Sequence, residues 1–375
     1  MPAYNLTIFI LFFLRFSAAQ DNLELRLSPI DSAHIFIQDD YYVWCGSVIE
    51  DCGKYRMLYS RWPHGKRELS DDSLNGVFNG FRGWCKYSEI AYAVSDKLTG
   101  PYRHVKTILK GDGDAKKWNR FTMHNPQIRK FGNCFYLYFI SNSYDSALFA
   151  NSAFDRKWKH WLQYNATQKI GAVKFKSFDD LLKGKFVVLP PLMQPDHIRT
   201  FEVATNPTVA EANGKYFMLF KSRKPNVGHM TFWMATSRRP DGPFTLMSEV
   251  FAEADMACED PCMWYDKKRK RFYAAVKYYS ESKKLVPQFG ALALIVSADG
   301  LHWKAAAHPL ISLREITIKK KKIELARLER PFAVIDKEGQ PVALFAAASV
   351  KEPTGDSLRV SEGRNTFNVC IPIEK

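Results

Sequence analysis

The chain has 375 residues, 46% hydrophobic and 25% charged, which excludes wholesale disorder and leaves enough apolar surface for a large core. Fifty-four Lys and Arg against 39 Asp and Glu give a formal charge of +15, which favours polyanionic partners: sulfated or uronic polysaccharides, nucleic acid or anionic surfaces. An aromatic share of 14% suits strands, where flat rings pack on pleated surfaces, so an all-β chain is expected.

From the N-terminus, an apolar run over 6–16 followed by Ser17-Ala18-Ala19-Gln20 reads as a signal peptide cut after Ala19. The run is too short for a bilayer, which needs about twenty residues, and no later stretch looks able to insert in a membrane. The expectation is a secreted or periplasmic protein, residues 20–375 forming a single domain, and export argues against nucleic acid as a partner. Seven cysteines permit disulfides but leave one unpaired. Cys258 and Cys262, four apart on an expected strand, would share one face. Without a second close pair or histidines at ligand spacing, no metal site and no cofactor is expected.

A unit recurs five times along the chain, opening at Cys45-Gly46-Ser47, His124-Asn125-Pro126, Thr205-Asn206-Pro207, Glu259-Asp260-Pro261 and Glu329-Arg330-Pro331. Gly46 is taken as the counterpart of Asn125, Asn206, Asp260 and Arg330. Each opening leads into a strand, a Gly or basic turn, and an aromatic strand, over 48–59, 127–138, 208–220, 262–276 and 332–345, which is the pattern of a hairpin. A second hairpin follows over 91–105, 233–247 and 294–305; in the second unit, 170–178 lacks the Gly-Pro-aromatic turn. Long insertions over 60–86 and 142–169 make the units uneven, and no helical pattern of convincing length interrupts them. The run Lys319 to Lys322 reads as a solvated loop. The tail over 365–373 reads as one more strand, placed to close a ring. The fold expected is a five-bladed β-propeller with four-stranded antiparallel blades.

In such a ring the innermost strands run along the axis, so equivalent positions converge on one volume. Pro after the polar pair is tolerated at the first residue of a strand, which would put each pair at a strand mouth. The converging set is His124, Asn125, Asn206, Glu259, Asp260, Glu329 and Arg330, with Trp44 near the rim. Carboxylates gathered closely have their pKa values pushed apart, giving one proton donor and one ionised group, as glycosidic cleavage requires. The plainer reading is that Asn-Pro forms turns and that Glu-Asp and Glu-Arg tie blades together, while Trp44, Trp62 and Trp84 pack.

The segments Tyr42 to Pro63 and Ser88 to Ser95, with the three polar-Pro motifs at 124–126, 259–261 and 329–331, resemble an exported bacterial group of glycoside hydrolases related to family 43. The likeness covers nearly the whole mature chain. It implies kinship with families 32, 62, 68 and 117, which act on arabinose, xylose, galactose or fructose linkages. For family 43 it implies inversion by three acids: a base Asp in the first blade, an Asp that orients substrate, and a general-acid Glu. The slot of the base holds Cys45-Gly46 here, leaving Asp39 and Asp40 as the nearest carboxylates, and the third-blade slot holds Asn206.

On that resemblance Glu259 is expected as general acid, Asp260 as a pKa modulator or sugar ligand, and Asp40 as base. Glu329 is available for either role, and Trp44, His124, Asn125, Asn206 and Arg330 would contact sugar. A structural calcium, present at the axis of some relatives, is not demanded. Three functions stand: hydrolysis of an oligo- or polysaccharide, an acidic one among the candidates; glycan binding without turnover, suggested by the missing first-blade Asp; and phosphorolysis, suggested by the basic excess.

Overall fold

The computed structural model describes residues 22–23, 26–65, 73–350 and 366–374. The expected signal peptide, 1–19, lies outside them.

The alternating aromatic and aliphatic hairpins fold as the repeat predicts. After a short strand β1 (Ile35–Phe36), the first blade is β2 to β5: Tyr41–Asp51, Lys54–Pro63, Glu89–Ser95 and Arg103–Leu109. The second is β6 to β9: Met123–Phe131, Cys134–Ser141, Lys169–Phe175 and Val187–Val188. The third is β10 to β13: Phe201–Ala212, Lys215–Arg223, Thr231–Ser237 and Thr245–Val250. The fourth is β14 to β17: Cys258–Asp266, Arg271–Tyr278, Leu292–Ser297 and Lys304–Ser312. An extra hairpin, β18 (Glu315–Ile318) and β19 (Lys321–Glu324), carries the lysine run at its exposed tip. The fifth blade is β20 (Arg327–Ile335), β21 (Pro341–Ser349) and β22 (Thr366–Pro372), completed by β1. All blade pairings are antiparallel, so the protein is a five-bladed propeller of four-stranded sheets.

Closure differs from expectation in one respect. The tail is the third strand of the last blade, and β1 is its outermost strand, pairing Ile35 with Val369 and Phe36 with Asn368.

Helices occur where the repeat is interrupted. Trp84–Tyr87 forms α1, and the 142–169 insertion holds a ten-residue helix, α2 (Arg156–Asn165), that the sequence reading missed. Its start is set by Asp155, whose side chain accepts from the amides of Lys157 and Trp158. The missing turn of the second blade is replaced by α3 (Phe178–Leu182), capped by Ser177, before the two-residue β9.

The five repeat openings share one local conformation. Cys45, Asn125, Asn206, Asp260 and Arg330 all have φ between 54° and 60°. At each the ladder shifts register, between Trp44 and Ser47, His124 and Gln127, Thr205 and Thr208, Glu259 and Cys262, and Glu329 and Phe332. Each opening is therefore a β-bulge inside the innermost strand rather than the strand's first residue, and Pro is tolerated there because the bulge leaves its nitrogen outside the ladder. The left-handed residue of the first blade is Cys45, so Gly46 takes the place of the prolines. Gly46 departs from the pattern because its amide is used, donating to Asn368 Oδ1 at 2.9 Å.

The same bulge breaks strand alternation. Cys258 packs in one cluster with Met263, and Cys262 in another with Trp264, so the two cysteines face opposite sides. All seven cysteines are free thiols.

Just beyond three of the bulges, side chains tie successive blades. Ser47 Oγ accepts from the Ile128 amide at 2.7 Å, Thr208 Oγ1 from Met263 at 2.9 Å, and Cys262 Sγ from Ala333 at 3.3 Å. Apolar residues on the sheet faces, such as Leu58, Leu137, Leu219, Ile295 and Leu344, fill the space between blades, each burial contributing about 1.5–3 kcal/mol.

Candidate functional site: an axial ring beneath a lysine-bridged carboxylate pair

The five left-handed residues point their side chains at the axis and at one another. Cys45 Sγ donates to Asn125 Oδ1 at 2.8 Å, Asn125 Nδ2 to Asn206 Oδ1 at 2.6 Å, and Asn206 Nδ2 to Asp260 Oδ1 at 2.8 Å. Arg330 Nη1 donates to the same Asp260 oxygen at 2.9 Å, so one hydrogen-bonded chain runs through all five blades. All five are buried. A buried polar group needs a partner, and here each blade supplies the next one's. For Asn125, Asn206, Asp260 and Arg330 the plainer reading, blade ties, describes what their polar atoms do.

One residue before the ring, the fourth and fifth blades contribute a charged layer. Glu259 Oε2 lies 2.7 Å from Lys221 Nζ and its Oε1 lies 2.8 Å from Lys277 Nζ, while the same Lys277 nitrogen lies 2.5 Å from Glu329 Oε1. The Glu259 and Glu329 side chains are 16% and 13% exposed, so both are largely out of water. Burial by itself would raise the Glu259 pKa; the Lys221 and Lys277 ammonium groups outweigh it and hold the carboxyl well below the ordinary carboxylate range. Lys277 is raised against its own burial by Glu259 and Glu329, with a smaller contribution from Asp260.

This environment is the reverse of what a general acid requires, because a proton donor needs a raised pKa and Glu259 is fixed as an anion. Asp260 is correspondingly committed to Asn206 and Arg330 rather than to tuning a protonated neighbour. Asp40 is not gathered in: it is exposed on the turn before β2, its carbonyl accepting from the His64 amide, about 16 Å along the strand from Cys45. Trp44 is buried against Phe81, ring centroids 5.2 Å apart, so it packs and offers no face to a sugar. His124 stacks on Trp84 at 4.9 Å and shares a hydrogen bond with Ser88 Oγ through Nδ1; burial, then Arg330, depress its pKa and keep it neutral.

Moving outward along β11, Arg223 follows Lys221 on the same face of the strand, and its Nη2 lies 3.2 Å from Glu202 Oε2. Glu202 is on an irregular stretch of β10, between the pairs Phe201–Arg223 and Thr205–Lys221, with φ at +62°. Its side chain is 11% exposed, and burial raises its pKa in spite of Arg223. Glu202 lines a cleft of about 690 Å³ between the second and third blades, with Tyr144, Gln168, His197 and Phe201. The cleft adjoins the ring, since Thr205 Oγ1 lies 2.8 Å from Gln168 Oε1 and 2.9 Å from Asn206 Oδ1, with one hydroxyl proton to share between them.

Solved structures share this architecture. The β-1,2-mannobiose phosphorylase of Listeria innocua superposes with a TM-score of 0.57 at 11% identity, over 93% of this chain and 96% of that one. The chain shares its five-bladed fold. A family 117 glycoside hydrolase of Zobellia galactanivorans gives 0.56 at 13% identity over 92% and 89% of the two chains. An α-L-arabinofuranosidase of Lactobacillus brevis gives 0.54 at 11% over 89% and 92%. No protein-family model and no curated protein matches the sequence.

Sequence reasoning missed Lys221, Lys277, Glu202 and Arg223. A signal for the lysines was present: Lys221 pairs with Thr205 and Lys277 with Glu259, so both occupy the same repeat position on the second strand of their blades. Glu202 carries no such mark, because its bulge belongs to the third blade alone.

Proposed function

We propose that this protein is a glycoside hydrolase acting on an oligo- or polysaccharide at the propeller axis, with Glu259 as the carboxylate that rests ionised. The carrying observation is the placement of Glu259 between Lys221 and Lys277 at the point where the blades converge. An anion fixed by two ammonium groups fits a general base that activates water, or a nucleophile, and does not fit a proton donor. Sharing one lysine brings Glu259 and Glu329 to within about 5 Å, the span of a retaining pair. Lys277 nevertheless satisfies both of them, so Glu329 serves to orient the lysine that holds Glu259. The basic excess of the chain supports an acidic glycan as substrate, and the apolar run over 6–16 supports export.

The test is release of sugar from a panel of aryl glycosides and plant or algal oligosaccharides, with and without phosphate. Turnover by the wild type that Glu259→Gln abolishes supports the reading; a wild-type protein that releases nothing from any of them sinks it. A second reading, glycan binding without turnover, is favoured by Cys45 standing where the resemblance puts the base and being consumed by the ring. Binding on a glycan array with no hydrolysis would decide for it. Turnover that depends on phosphate would turn the reading to phosphorolysis.

A further inference from the structure

We propose that Glu202 is the proton donor of this site and that the cleft between the second and third blades receives the leaving group. The inference rests on the hydrolytic reading of Glu259 and adds the acid that reading lacks.

Four observations converge on Glu202. It is held in a left-handed backbone conformation, φ +62°, strained for a residue other than Gly and kept only where the surroundings enforce it. The distortion sits in a register shift that adds residues to β10 opposite Lys221 and Arg223, the kind of bulge that re-aims a side chain. Glu202 lines a cleft with its side chain only 11% exposed, and Phe201 offers a partly exposed ring on the same wall. Beside it, Arg223 Nε is buried with no hydrogen-bond partner among the described residues, a donor free for a ligand oxygen.

Glu202 and Glu259 are linked through one strand: Lys221 holds Glu259 and Arg223 holds Glu202, and these two cations are alternate residues on one face of β11. The two are also differently set, Glu259 as an anion and Glu202 with a raised pKa.

Water adds its oxygen to the anomeric carbon and gives one proton to Glu259. The glycosidic C–O bond breaks with its electron pair on the leaving oxygen, which takes the proton of Glu202 and departs as an alcohol into the cleft. Exchange with solvent returns a proton to Glu202 and removes one from Glu259.

Because a proton donor matters most when the leaving group is poor, the experiment compares an oligosaccharide with a dinitrophenyl glycoside of the same sugar. In Glu202→Gln the ratio of kcat/KM for the oligosaccharide to that for the activated glycoside should fall about 10²–10⁴-fold from the wild-type ratio, and the alkaline limb of the pH profile should disappear. Arg223→Met, which removes the opposing charge, should move that limb to higher pH. The released sugar should show inverted anomeric configuration by NMR. A uniform loss on both substrates, or retained configuration, overturns the assignment to Glu202 and leaves the hydrolytic reading in place. Absence of wild-type turnover overturns the hydrolytic reading, and Glu202 as donor goes with it.

Discussion

Arg330 Nη1 donates to Asp260 Oδ1 at 2.9 Å with the two side chains 7% and 5% exposed, so the fourth and fifth blades are joined at the axis by a buried ion pair. Removing one member leaves the other's charge stranded out of water. Arg330→Met should cost about 3–5 kcal/mol, read as a drop in the urea midpoint. The double variant Asp260→Asn with Arg330→Met should lose less than the sum of the single losses, because neither charge remains.

Gly46 invites a different substitution from the one the repeat suggests. Matching the other blades with Gly46→Pro would delete the amide that donates to Asn368 Oδ1, at about 1–3 kcal/mol for a buried group left unpaired. A methyl at Gly46 would stand 3.0 Å from Met57 Sδ and 3.1 Å from Asn368 Cγ, so Gly46→Ala is strained as well, but it keeps the donor. Thermal unfolding should rank the wild type first, Gly46→Ala second and Gly46→Pro last.

Phe36 anchors the closing strand, packing edge-on against Tyr59 with ring centroids 4.9 Å apart. Phe36→Ala should cost about 3–5 kcal/mol by cavity formation and loosen β1 from β22. Faster hydrogen exchange at Val369 and Asn368 than elsewhere in the blade would confirm where the loss falls; an even increase over the sheet would count against it.

His124 makes stability pH-dependent. Its folded pKa is depressed, so as pH falls through about 6.5 the unfolded chain gains a proton that the folded site refuses. Its contribution is therefore full above about pH 6.5 and is lost toward pH 5, by at most about 1.4 kcal/mol per pH unit for one proton. Urea titrations at pH 5, 6 and 7 should show a shallower slope for His124→Phe than for the wild type.

The fold was legible because the repeat is written in hairpins. Alternating apolar residues around Gly or basic turns fix the first two strands of every blade, while the outer edge of the second blade, built from α3 and β9, and that of the fifth, completed by β1, escaped the pattern. The site was legible in position and not in chemistry. The motif Glu259-Asp260-Pro261 correctly marks the axis, but the protonation state of Glu259 is decided by Lys221 and Lys277, which lie 38 residues upstream and 18 downstream and meet it only through strand pairing. Asp40 illustrates the opposite error: closeness in sequence to the first-blade slot does not carry a side chain to the axis when an extended strand separates them. Glu202 was invisible because its significance lies in a backbone twist that no residue type announces.

The pairing of β1 with β22 has a consequence for how the chain comes to be. Ile35 pairs with Val369, 334 residues further along the chain, so four blades can assemble while β1 waits, and the circle shuts only when β22 has been made. A nascent chain stalled before Thr366 should expose the bare flank of the fifth sheet, the surface a chaperone would hold.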